Sequence, residues 1–279
     1  MKRVCALILT VSVIFLFADG VAGHDVFVRV GSGETIPLKQ VIKDVKRADL
    51  VFVGELHDRK EHHRVQLDIL KALRKSGRPV ALGLEMFRAD SQKELDQWTA
   101  GASGLRHFRS VYRDNWGISW DLYRDIFLYA RKHRIPMIGL NVPQEITRKV
   151  ASSGYSSLTR RETGKLPPGI SCTVDRAYRE FIKSAYSAHQ RDEKAFLYFC
   201  EAQMVWDNAM AWHLIAYKKK KPSATVVVLA GAGHSWKRGI PEQVKRHSQL
   251  SSKVILPYLP GRVEQNIISH QDADYIYSP

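Results

Sequence analysis

Cysteine is scarce in this chain: three residues in 279, at positions 5, 172 and 200. One pair cannot define a disulfide scaffold, so the fold must rest on a packed core. Cys172 and Cys200 either bridge in an oxidising compartment or stand as two buried thiols. Long apolar runs are missing as well. The stretch from Val4 to Ala18 falls short of the ~20 residues that span a bilayer. With Lys2 and Arg3 before it and Val21-Ala22-Gly23 after it, residues 1–23 read as a secretory signal cut before His24. Cys5 stands too early to be the cysteine of a lipoprotein cut. Acidic residues are the third shortage: without Lys2, Arg3 and Asp19, 41 basic residues face 27 acidic ones, a net charge of +14. That balance favours anionic partners, an anionic membrane surface among them. No nucleic-acid motif is present, and none is expected as a partner.

Several catalytic signatures are absent. Gly231-Ala232-Gly233-His234 lacks the spacing of a dinucleotide fingerprint or a P-loop. There is no Gly-x-Ser-x-Gly elbow, no His-Glu-x-x-His helix and no cysteine-rich zinc pattern.

What is present is a set of four apolar runs with polar endings. Leu50–Gly54 runs into Glu55-Leu56-His57, and Val80–Leu84 into Glu85. Pro136–Leu140 runs into Asn141, and Thr225–Gly233 into His234. Such continuous runs, alternating with helical periodicity, predict an α/β fold: a mostly parallel central sheet flanked by helices. A strand pair turning at Gly31-Ser32-Gly33 and a helix over Pro37–Ala48 precede the first run. Asp58 and Glu61 stand in a capping-box relation that opens a helix through Arg74. Asp90–Ala100 and Ser119–His133 read as helices, with Gly101–Asn115 a loop over the rim. Residues from about 143 to 192 are polar with a breaker cluster at Lys165–Gly169, and read as an inserted helical cap. A long helix, Glu193–Lys218, a helix from Pro241 and a strand Lys253–Pro257 complete the domain 24–279. The run Lys218–Lys221 reads as a solvated helix end.

In open parallel sheets the carboxyl ends of the strands form the ligand crevice. Glu55, His57, Glu85, Asn141 and His234 therefore share one rim, although each alone could merely cap a helix. On the long helix, Gln203 and Asp207 interrupt an apolar stripe, and a carboxylate there must be paired or ligated. His63 lies on the inward face of its helix; His62 points away and reads as solvated. Glu55, His57, Glu85 and His234 could hold a divalent metal such as Mn, Fe or Zn, or act as acid and base in a hydrolase.

At these residues the chain resembles the ChaN family of haem-binding proteins, in the Tiki/erythromycin-esterase-like superfamily. The resemblance is carried by Val53-Gly54-Glu55-Leu56-His57-Asp58, His63-Arg64-Val65-Gln66, Gly83-Leu84-Glu85-Met86-Phe87, Gly139-Leu140-Asn141-Val142-Pro143, Glu201–Ala211, Gly231-Ala232-Gly233-His234 with Gly239-Ile240-Pro241, and Ala273-Asp274-Tyr275. It implies an exported haem-binding protein, periplasmic or outer-membrane-associated, that takes part in haem or iron acquisition. It further implies a haem iron ligated by a tyrosine oxygen, propionates held by basic residues and histidine, a homodimer on haem binding and an outer-membrane receptor as partner. Tyr112, Tyr123, Tyr155, Tyr178 and Tyr186 are eligible ligands, with His63, Asn141, Gln203 and Asp207 as further cofactor-binding residues. Related branches are metal-dependent peptidases and macrolide esterases, so a metal-dependent hydrolase is the alternative.

Overall fold

In the computed structural model the apolar runs become the middle of one eight-stranded sheet. Residues 25–170, 174–185 and 193–279 are described. Residues 1–23, read from the sequence as a signal, and Cys172 and Tyr186 therefore lie outside the described residues, while Cys200 is buried. The chain opens with a hairpin, β1 (Val26–Arg29) and β2 (Thr35–Ile36), then α1 (Leu38–Val45). Three units follow: β3 (Leu50–Glu55) with α2 (Lys60–Lys75), β4 (Val80–Arg88) with α3 (Gln92–Ala100), α4 (Leu105–Asn115) and α5 (Trp120–Lys132), and β5 (Met137–Asn141) with α6 (Gln144–Ser153). The helices α7 (Arg160–Thr163) and α8 (Arg176–Ala185) lead to the long α9 (Glu193–Lys220). The last part is β6 (Thr225–Gly231), α10 (Ala232–Ser235), α11 (Ile240–His247), β7 (Ser252–Pro257) and β8 (Tyr275–Ser278).

The strand order is β2-β1-β8-β7-β3-β6-β4-β5. All pairings from β8 to β5 are parallel, and only the hairpin edge is antiparallel. Side chains alternate across a strand, and helices cover both faces. Val51, Val53, Leu82 and Leu229 pack under α2, α4 and α5 with Ile69, Phe108, Tyr112 and Phe127. Leu50, Phe52, Val228 and Leu256 pack against Met210 and Leu214 of α9 and Val244 of α11. Burial on both sides is why these strands read as unbroken apolar runs. The segment between β5 and α9 makes its own small cores on α9: Ile146, Val150 and Leu166 against Val205, and Tyr178 and Ile182 against Cys200 and Met204.

Four local readings are corrected. The tract 101–115 is not a loop throughout, because α4 forms from Leu105. Its Phe108 stacks on Trp98 at 4.2 Å between centroids and, with Tyr112, supplies a buried stripe that outweighs the Gly/Ser content before it. The capping box at Asp58 and Glu61 does not form: α2 starts after Arg59 with no side-chain cap, and Arg59 O accepts from His62 N instead. His62 is buried rather than solvated. Its Nδ1 accepts from Leu56 N at 2.9 Å, and its ring meets Tyr277 edge-on. The lysine run is split, with Lys218 buried between Pro222 O at 2.7 Å and Asp49 at 3.0 Å. At the sheet edge Gly139 has no room for a side chain, since a Cβ there would overlap the Arg88 carbonyl.

Candidate functional site

The central strands β3 and β6 end side by side, with Glu55 in register with Gly231. A cavity of about 540 Å³ opens above them, and Glu55, His57, Gln203, Asp207 and His234 line it. Ile182, Phe199, Trp236, Leu259, Ile267 and Ile268 form its apolar wall, with Arg262 beside them.

Glu55 is fully buried and accepts from four groups. His57 Nδ1 donates to Oε1 at 2.7 Å, and the Tyr123 hydroxyl donates to the same oxygen. Gln66 Nε2 donates to Oε2 at 2.7 Å, and His63 Nδ1 lies 3.2 Å from it. Burial alone would raise this carboxyl, but the hydrogen bonds from His57 and His63 outweigh it, and its pKa falls well below the ordinary range. His63 Nε2 faces the His57 carbonyl at 3.1 Å. Both ring nitrogens of His63 thus meet oxygen acceptors, an arrangement that favours the charged imidazolium. Its pKa is correspondingly raised: burial lowers it, and the Glu55 hydrogen bond overrides that. The pair is a buried charge couple behind the cavity, and it holds His57 in one tautomer.

The second group comes from α8, α9, α10 and β4. His234 Nδ1 donates to Asp207 at 2.7 Å, and Tyr178 donates to the other Asp207 oxygen at 2.7 Å. Glu85 lies 3.8 Å from His234 Nε2 and accepts from Gly231 N at 2.7 Å. Gly231 lets these groups approach, since a Cβ there would stand 3.2 Å from His57 Nε2 and 3.7 Å from Glu85. Burial pushes Asp207 up, against the pull of His234 and Tyr178. Burial disfavours the charge on His234 too, but Glu85 and Asp207 prevail and raise it to about 9.

That shift has a consequence for stability. An unfolded histidine titrates near 6.5, so the gain is complete below that pH and is lost as pH rises through about 9. It is worth at most about 3 kcal/mol, less the offset from the raised Asp207. Between pH 6.5 and 9, urea melts of the native protein should lose more stability than those of a His234→Gln variant. Equal losses would show that the pair does not hold that proton.

Residues 41–244 match the family model described as haem-binding uptake, Tiki superfamily, ChaN. The chain belongs to this family. Curated protein sequences contain no match. Among solved structures, ChaN of Campylobacter jejuni, described with cofacially bound haem, is similar at a TM-score of 0.72 and 18% identity, over 91% of this chain and 96% of that one. A variant of the erythromycin esterase EreC in its open conformation is similar at a TM-score of 0.51 and 11% identity, over 83% and 76% of the two chains. The type III effector HopBA1 gives a TM-score of 0.50 at 14% identity, over 90% and 95%. At these identities the likeness is one of fold.

In this ChaN-family chain the structure gathers Glu55, His57, Gln203, Asp207 and His234 at the cavity, with Glu85 touching His234. None of the four described candidate tyrosines lines that cavity. Tyr112 is buried among Phe87, Trp120 and Phe127 with its hydroxyl on Ile118 O, and Tyr123 is bound to Glu55. Tyr155 donates to Ile170 O and Tyr178 to Asp207. Asn141 lines a neighbouring crevice, its amide donating to Glu85 O, because the register between β4 and β5 shifts past Leu84. His63 stands behind the cavity rather than on it. Among the described residues no group of three or more His, Cys, Asp or Glu is arranged to hold a metal ion. Of the four expected ligands, the two carboxylates are already engaged: Glu55 accepts from His57, Tyr123 and Gln66, and Glu85 accepts from Gly231 N. Gln66 and Arg262 were not foreseen. Gln66 sits one turn from His63 on the same helix face, a polar interruption that could have pointed to it; Arg262 lies in a loop with no periodicity to mark it.

Proposed function

We propose that this chain is an exported haem-binding protein that takes part in haem or iron acquisition. The observation that carries this reading is the cavity, whose size lies within the ~300–1,000 Å³ common for small-molecule sites. Its wall of Ile182, Phe199, Trp236, Leu259, Ile267 and Ile268 suits a flat apolar macrocycle, and Arg262 suits a propionate. The residues present fit the group in that respect. An oxygen ligand from Tyr112 or Tyr123 is not supported, as both hydroxyls are engaged inside the protein. His57 is better placed: with Nδ1 held by Glu55, its Nε2 is the nitrogen left toward the cavity. Bound haem would supply iron to be carried. The family match and the leader pattern of residues 1–23 support export and uptake as its role.

Haemin titrated into the purified protein should give a saturable Soret shift. A Gly233→Phe variant tests the location, because Gly233 lines the cavity and a Cβ there meets nothing within 4 Å, so the wall has room for a bulky ring. Its haem affinity should fall about tenfold or more, in proportion to the contacts displaced. A non-stoichiometric response would remove the haem reading, and an unchanged affinity in the variant would move the haem elsewhere.

A second reading is favoured by one observation. Two imidazoles, each oriented by a carboxylate, stand on either side of Gly231 and Glu85. Protonated His234 suits a general acid for a leaving group, and His57 Nε2 suits a base for water. Hydrolysis of an ester or peptide is the corresponding chemistry.

A further inference from the structure

The outward face of α4 carries Arg106, Arg109 and Arg113, all exposed. At about 100° per residue the three fall within roughly 60° of helix arc. They and Leu105, itself 46% exposed, line a shallow groove of about 370 Å³. None of the three makes an ion pair or a hydrogen bond to the described residues. Arg109 only lies over the Trp120 ring, 6.0 Å from its centroid. Other surface arginines do find carboxylates: Arg64 meets Asp25, Arg124 meets Asp125 and Arg246 meets Glu242. Asp114 is the single carboxylate of α4 and lies about 80° of arc from Arg106. Like charges at helical spacing repel. The fold's own needs are met by the opposite face, where Phe108 and Tyr112 are buried. The exposed face is therefore a repulsive cluster that nothing within the described chain relieves.

We propose that this α4 face docks on an anionic lipid surface. Guanidinium groups match phosphate head groups in geometry and charge, and a basic helix face flanked by an exposed leucine suits the plane of a membrane interface. The net charge of +15 adds long-range attraction of the same sign. This assignment is independent of whether the cavity takes haem.

The test is co-sedimentation of the purified protein with vesicles of phosphatidylglycerol and phosphatidylcholine, against vesicles of phosphatidylcholine alone. Binding should require the anionic lipid and should weaken strongly between about 0.15 and 1 M salt. Replacing Arg106, Arg109 and Arg113 together by Gln should lower the partition constant about a hundredfold, each basic residue contributing a factor of roughly five. The matched control replaces Lys219, Lys220 and Lys221 by Gln, the same loss of charge at a distant helix end, and should cost much less. Three outcomes would overturn the proposal: equal binding to neutral vesicles, an equal loss in the control variant, or a triple variant that keeps its vesicle binding. Should the triple variant lose binding to polyglutamate while keeping vesicle binding, the groove belongs to an acidic protein instead. Thermal melts of both variants, expected to match the native protein, exclude misfolding as the cause.

Discussion

A Glu55→Ala variant should lose about 3–5 kcal/mol of stability, the range seen when one member of a buried ion pair is removed. The deletion strips acceptors from His57, Tyr123 and Gln66, and leaves the His63 imidazolium buried beside no carboxylate. Gln66 keeps Val53 O, and His63 keeps Gln66, which bounds the damage. In a chain of this size the loss corresponds to a melting point lower by about 10 °C. Glu55→Gln keeps the shape and one oxygen acceptor, and should lose less. Asp58→Ala, whose side chain is largely exposed, should stay within about 0.5 kcal/mol of the native protein. The pH dependence carries the same sign: the folded carboxyl is depressed, so its stabilisation is present above its ordinary value of 4.5 and is lost in acid. Urea melts decide the matter, and a loss under about 1 kcal/mol for Glu55→Ala would mean that the network is not what holds this rim together.

The second large effect concerns turnover. If the two carboxylate-oriented imidazoles process an ester or peptide, His234→Gln removes the proton donor and should lower kcat by about 10²–10⁴. The native rate should fall as pH rises through about 9, where His234 gives up its proton, and the variant should lack that limb. Haem affinity gives the contrast, because the wall that would hold a macrocycle stays intact in this variant. A variant with full rate would leave the dyads as binding groups alone.

Much of the sheet was legible because its strands are buried on both faces. The runs ending at Glu55, Glu85, Asn141 and His234 announced four parallel strands, and all four are there. β8 was not legible as a strand. Four residues, Tyr275–Ser278, give too short a pattern to separate from a tail, and their pairing with β7 and β1 comes entirely from tertiary context. The α4 helix was hidden by the glycine and serine residues before it. At the site, strand-end position located Glu55 and His57, and helical spacing located Gln203 and Asp207. His234 was found although β6 stops at Gly231, which puts it on the short α10. The tyrosines were beyond this kind of reading, since their abundance says nothing of which hydroxyl is already bonded. Asn141 looked equivalent to the other strand ends, but an irregular register carries it into the next crevice.

The position of β8 bears on how the molecule is made. Among the described residues this strand is what joins the amino-terminal hairpin to the rest of the sheet. It also reaches the back of the rim, where the Tyr277 hydroxyl donates to Gly54 O at 2.8 Å and its ring backs His62. The hairpin made early in the chain therefore joins the sheet only after β8, far along the sequence, has been made. Until then β1 and β2 have only each other to pair with. The pairing of β1 with β8, between segments far apart in the chain, forms late because it must first overcome the entropy of closing a long loop.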